Sequence, residues 1–141
     1  PRTPAAPPPP VRGAYAASMG GAETATKTLA DVMPAQPGLM AEAPFVALAH
    51  GVKGKALLIR AGDRSIVRFE GFETINGPDV RVWLATDLDG KDHVELDKLK
   101  ATSGNVNYDV PVGTDTARKR FVLIWCVRFG VLFSSAEFPS G

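Results

Sequence analysis

The chain is poor in the residues that build metal and disulfide chemistry. Its 141 residues include one cysteine, Cys126, and two histidines, His50 and His93. One thiol makes no internal disulfide, and it excludes zinc or iron–sulfur sites built on four thiolates. Charge of one sign is lacking too: 16 Lys and Arg stand against 15 Asp and Glu. That balance argues against binding nucleic acid through bulk charge. No apolar run reaches the roughly 18 residues of a membrane span. Also missing are a His-Glu-x-x-His helix, a Gly-x-Ser-x-Gly elbow and a phosphate-binding Walker loop. Without Cys-x-x-Cys-His, covalent c-type haem attachment is not supported. The Asp87–Asp92 stretch lacks the acidic twelfth ligand and flanking helices of a calcium loop, so it reads as a turn. What remains is 45% hydrophobic and 22% charged, the balance of a globular domain with a core.

That balance is unevenly spread. Nine of the twelve prolines and all three methionines fall in residues 1–44. The opening Pro1-Arg-Thr-Pro-Ala-Ala-Pro-Pro-Pro-Pro10 forms neither helix nor central strand, because proline fixes φ and lacks the amide donor. Such a tract favours extended polyproline II and serves as a semi-rigid spacer. The expectation is a Pro/Ala-rich extension over 1–44. It would space a folded domain, residues 45–141, from an anchor or cleaved export signal. Within the extension, Leu29, Val32 and Met33 make a small helical stripe, predicting one short helix over Ala22–Met33 that Pro34 ends.

Beyond Pro44, short apolar stretches alternate with Gly, Asp and Asn turns about every eight to twelve residues, the rhythm of an all-β sandwich or barrel. Strands are expected over Lys55–Arg60, Ser65–Phe72, Asp79–Thr86, His93–Leu96, Val106–Val110, Phe121–Phe129 and Val131–Ala136. Val80, Val82 and Leu84 alternate with Arg81 and Trp83, which puts Trp83 on the partly polar face. Phe121-Val-Leu-Ile-Trp-Cys-Val127 does not alternate. A strand apolar on both sides is central and covered on both sides, by a second layer or the N-terminal helix. Cys126 shares a face with Val122, Ile124 and Arg128; Trp125 shares the other with Phe121, Leu123 and Val127.

Several motifs occur in a telling order: His50-Gly-Val-Lys-Gly54, Phe69-Glu-Gly-Phe72, Thr74-Ile-Asn-Gly-Pro-Asp79, Val82-Trp-Leu84, Tyr108-Asp-Val-Pro111 and Val122-Leu-Ile-Trp-Cys126. Phe129-Gly-Val-Leu-Phe133 and Ala136 close the series. Over residues 45–138 the chain resembles the DM-thirteen domain. This is a module of bacterial envelope proteins, repeated in animal cell-surface proteins beside DOMON domains. The resemblance implies an antiparallel β-sandwich outside the cytoplasm, secreted or anchored, that takes part in electron transfer. It also implies that Cys126 is the family's characteristic cysteine, as a bare thiol or as a ligand to a group such as haem. The implied partner is an envelope redox or surface protein.

Read from the residues alone, Cys126 has three roles open to it. It is a buried inert thiol, as free cysteines commonly are; or a redox thiol or haem ligand, with Arg128 nearby; or the half of an intermolecular disulfide. Asn76-Gly77-Pro78-Asp79 reads as a tight turn that determines the fold, since glycine permits φ > 0 and proline forbids helix. Asn76 and Asp79 stay as binding candidates with Arg128. Trp83 is the strongest contact candidate, because an aromatic ring on a polar face serves recognition, or else is covered by the N-terminal segment. His50 reads as a loop residue touching backbone, and His93 as solvent-exposed. The runner-up to electron transfer is a binding or structural module that contacts an envelope partner or small ligand through Trp83 and its loops.

Overall fold

A computed structural model describes Ala25 and residues 27–140. These form ten strands and, among the described residues, no helix. β1 (Thr28–Ala30), β8 (Ser103–Asp109), β5 (Arg64–Glu73), β4 (Lys53–Ala61) and β2 (Gly38–Pro44) make one sheet in that order. β3 (Val46–Ala47), β10 (Val131–Glu137), β9 (Phe121–Cys126), β6 (Val80–Ala85) and β7 (His93–Lys98) make the other. The two sheets pack face to face as an all-β sandwich. All pairings are antiparallel except β1 on β8.

The core follows from strand alternation. Val67 and Phe69 of β5, Val106 and Tyr108 of β8, and Ala56 and Leu58 of β4 face inward from the first sheet. Val80, Val82 and Leu84 of β6, with Val122, Ile124 and Cys126 of β9, face them from the second. Four aromatic rings pack against one another within this core. Phe69 lies 4.9 Å from Phe45, 4.7 Å from Phe72 and 5.0 Å from Tyr108, all edge-on or tilted. These are the geometries that ring quadrupoles favour. Phe45 sits between β2 and β3, where one continuous run of chain leaves the first sheet and joins the second.

The helix expected over Ala22–Met33 is replaced, over its described part, by strand β1. Residues 22–24 and 26, like the spacer at 1–10, lie outside the described residues. The stripe that favoured helix does not stay together: Leu29 packs against the core, while Val32 is 82% exposed and Met33 38%. A helix of three turns has little stability without a packed face. The edge of β8 instead offers backbone partners at once. Asp31 N donates to Asn105 O, and Thr102 N to Lys27 O.

β1 and β2 lie at opposite edges of the same sheet. Residues 31–37 therefore span four strand spacings, about 19 Å, with a reach of about 25 Å when extended. This strap is pinned on the sheet's outer face. Arg68, 5% exposed, donates to the carbonyl of Asp31 (2.9 Å) and to Asn107 Oδ1 (3.0 Å), and its Nε to Glu70 (2.8 Å). Asn107 Nδ2 donates to the carbonyl of Val32 (2.9 Å), and Asp31 Oδ2 accepts from Asn107 N (2.8 Å). Residues 28–44 thus contribute two strands to the sandwich.

Candidate functional site

The second sheet holds the two leading candidates of the sequence, Trp83 and Cys126, one on each of its faces. Strand β9 is central, between β10 and β6, which is why it is apolar on both sides. Its inward residues join the core. Among the described residues, the outer face is covered by aromatic side chains and the β6–β7 loop, and not by a helix.

On that outer face Trp83 lies between two other rings. The His93 imidazole stacks on it at 3.6 Å with 9° between planes. The Trp125 indole lies 5.0 Å away at 15°. Register explains the gathering: Trp83 pairs with Glu95 and Leu123, Ala85 with His93, and Arg81 with Trp125. The three rings therefore run diagonally across β7, β6 and β9. Both tryptophans are partly exposed, and His93 is exposed at the edge strand.

The loop between β6 and β7 closes on this stack. Asp87 Oδ1 accepts from the amides of Asp89 (3.0 Å) and Gly90 (3.2 Å), a turn of the kind aspartate nucleates. Gly90 has φ +71°, and a Cβ there would stand 3.1 Å from the Trp83 ring and 3.3 Å from Leu123. Only glycine suits both the backbone and the space. The Gly90 carbonyl lies 2.6 Å from His93 Nδ1 and holds the imidazole over Trp83. Leu123, wholly buried, lies beneath.

Charged groups frame the rings. Trp83 Nε1 donates to Glu95 Oε1 at 3.2 Å. The other oxygen of Glu95 accepts from Arg81 at 2.8 Å, and Arg81 Nε donates to Asp79 Oδ1 at 2.6 Å. The Asp79 hydrogen bond, reinforced by Glu95 and opposed by partial burial, holds the Arg81 guanidinium above its ordinary pKa. Arg81 is therefore a fixed cation, and it fixes Glu95 in place beside the indole.

Cys126 occupies the opposite face. It is wholly buried, facing inward with Val122 and Ile124. Val80 and Val131 pair with it from the flanking strands. A haem beside this sulfur would need an open slot for the macrocycle, and here the strands close directly on the thiol. The residues around Cys126 do not fit that group. Among the described residues no three His, Cys, Asp or Glu side chains cluster to hold a metal ion.

Of the remaining sequence candidates, Asp79 borders the outer face through Arg81 and the others lie elsewhere. β9 ends at Cys126, earlier than expected, because residues 127–130 turn, with Gly130 at φ +62° and its amide donating to Val127 O (3.2 Å). Arg128 is consequently exposed on the turn and not on the face of Cys126. Asn76 is buried, and its Oδ1 accepts from the amides of Ala25 (3.1 Å) and Gly77 (2.8 Å). Gly77 is buried and does not adopt positive φ; the expected turn falls on Pro78 and Asp79, directly ahead of β6. Asp79 reaches Arg81 through its side chain and accepts from Val127 N (2.8 Å) through its carbonyl. His50 donates its amide to Phe133 O (3.3 Å), and its ring stands edge-on to Phe133 at 4.6 Å. Burial lowers the pKa of this imidazole.

Trp83 and its face are legible in the sequence, but its company is not. Trp125, His93 and Glu95 joined the site through cross-strand register, which no single stretch of sequence displays. The available signal was that Trp125 points away from Cys126, hence to the same side of the sheet as Trp83.

This fold defines an extended-edge β-sandwich with a core thiol and an aromatic outer face. A family model described as electron transfer DM13 matches residues 44–138. The chain belongs to that family, whose description marks an electron-transfer-related module. Comparison with curated proteins and with solved structures finds no match.

Proposed function

We propose that this domain is an extracytoplasmic electron-transfer module of the cell envelope that exchanges electrons across the outer aromatic face of its second sheet. The family supports the electron-transfer part. The Pro/Ala-rich first ten residues suit a spacer between an export signal or anchor and folded cargo. The carrying observation is the three-ring stack of His93, Trp83 and Trp125, which extends from an exposed edge strand to the residue next to Cys126.

In this reading Cys126 is not a contact site. Its sulfur is closed off by the core, so reaction at the thiol itself requires the sandwich to open. The same burial favours a second reading, a binding module that uses the outer face only to hold a partner through Trp83.

Haem titration of wild type and Cys126→Ala tests the placement. The expected result is no haem spectrum in either protein. A spectrum in wild type that Cys126→Ala abolishes would move the redox centre to the sulfur and contradict the proposal.

A further inference from the structure

Within the outer face, one ring differs from its neighbours. Trp83 is flanked on both sides by aromatic rings, and its N–H points at a carboxylate. Glu95 has one oxygen on that N–H and the other on Arg81, so its orientation is set from two sides. An indole that loses an electron becomes far more acidic at its nitrogen, about as acidic as a carboxylic acid. A carboxylate within hydrogen-bond distance takes that proton with no movement of heavy atoms.

From this geometry we infer that Trp83 is a proton-coupled redox residue and Glu95 its proton acceptor. The inference rests on the electron-transfer reading above and names the group that carries it. The co-reactant is a high-potential one-electron oxidant, because indole yields an electron to nothing weaker. One electron passes from the Trp83 ring to that oxidant, which is reduced by one. The Nε1–H bond breaks, an O–H bond forms at Glu95 Oε1, and a neutral indolyl radical remains. Return of one electron and the same proton restores both side chains. His93 and Trp125 are positioning residues: they stack on the ring and limit its contact with water. Arg81 positions Glu95.

The experiment is flash oxidation of the full chain by photogenerated tris(bipyridine)ruthenium(III), followed by transient absorption and electron paramagnetic resonance. Wild type should give a long-lived deprotonated indolyl radical. Trp83→Phe should abolish it, and Trp125→Phe should retain it. Glu95→Gln keeps the size and the acceptor oxygen but takes no proton. It should yield the protonated radical cation with a shorter lifetime. Should Trp83→Phe fail to fold, the isosteric Glu95→Gln decides alone. A wild-type radical yield in folded Trp83→Phe, or a Glu95→Gln radical identical to wild type, would overturn the inference. If the native protein reduces no oxidant at all, the electron-transfer reading falls with it. If oxidant is consumed and the radical resides elsewhere, only the assignment to Trp83 falls.

Discussion

Cys126 and Trp83 stand on different sides of one sheet, and their surroundings give them different chemistry. The thiol has strands on both sides and core in front of it. A bulky thiol reagent should therefore leave Cys126 unlabelled in native protein and label it fully in denaturant; rapid native labelling would show that the sandwich opens readily. Cys126→Ala should cost about 1–2 kcal/mol in denaturant unfolding, the scale of a small group lost from a packed interior. Gly90 is the matching test for the outer face. Gly90→Ala adds a Cβ at φ +71° and 3.1 Å from the Trp83 ring. It should lower stability by about 1–3 kcal/mol through backbone strain and crowding. The near-ultraviolet circular dichroism of the tryptophan pair should weaken with it; an unchanged spectrum and melting temperature would mean that the loop does not press on the stack.

Strand β1 is attached to the fold by hydrogen bonds more than by buried apolar surface. Its close approach to β8 depends on Gly104, at φ +106°, where a Cβ would collide with the backbone carbonyl of Leu29. Gly104→Val should displace β1. Hydrogen exchange would report it: the amides of Asp31 and Asn107, bonded to Asn105 O and Asp31 Oδ2, should lose protection while those of β9 keep theirs. Retained protection at Asp31 would contradict the docking. The seven expected strands all exist, since each shows either alternation or a continuous apolar run between turn residues. β1, β2 and β3 were not legible. β1 has three residues, β3 has two, and β2 carries a bulge between Leu39 and Ala41 that breaks its alternation. Their existence depends on a partner edge far along the chain. Trp83's face was legible for the opposite reason: Val80, Val82 and Leu84 set the alternation within six residues.

At the scale of the molecule, the sandwich is closed at one side by the run from Gly38 to Ala47, which belongs to both sheets in turn. His50 follows directly and lies against Phe133 of β10. Burial lowers its pKa from 6.5, so the native state binds fewer protons there than the unfolded chain. The sign follows by linkage: the contribution is whole above pH 6.5 and is lost as pH falls through and below that value. Thermal melts should therefore show an acid limb beginning near pH 6.5 that His50→Gln flattens; the same limb in the variant would assign it to other groups. The central claim concerns the whole molecule as well, because it says which face of the second sheet handles electrons. Stopped-flow reduction of hexachloroiridate(IV) by wild type, Cys126→Ala and Trp83→Phe/Trp125→Phe tests it most directly. The outer-face account predicts that Cys126→Ala reduces the oxidant as fast as wild type and that the double variant slows sharply. A rate lost in Cys126→Ala and kept in the double variant would contradict it.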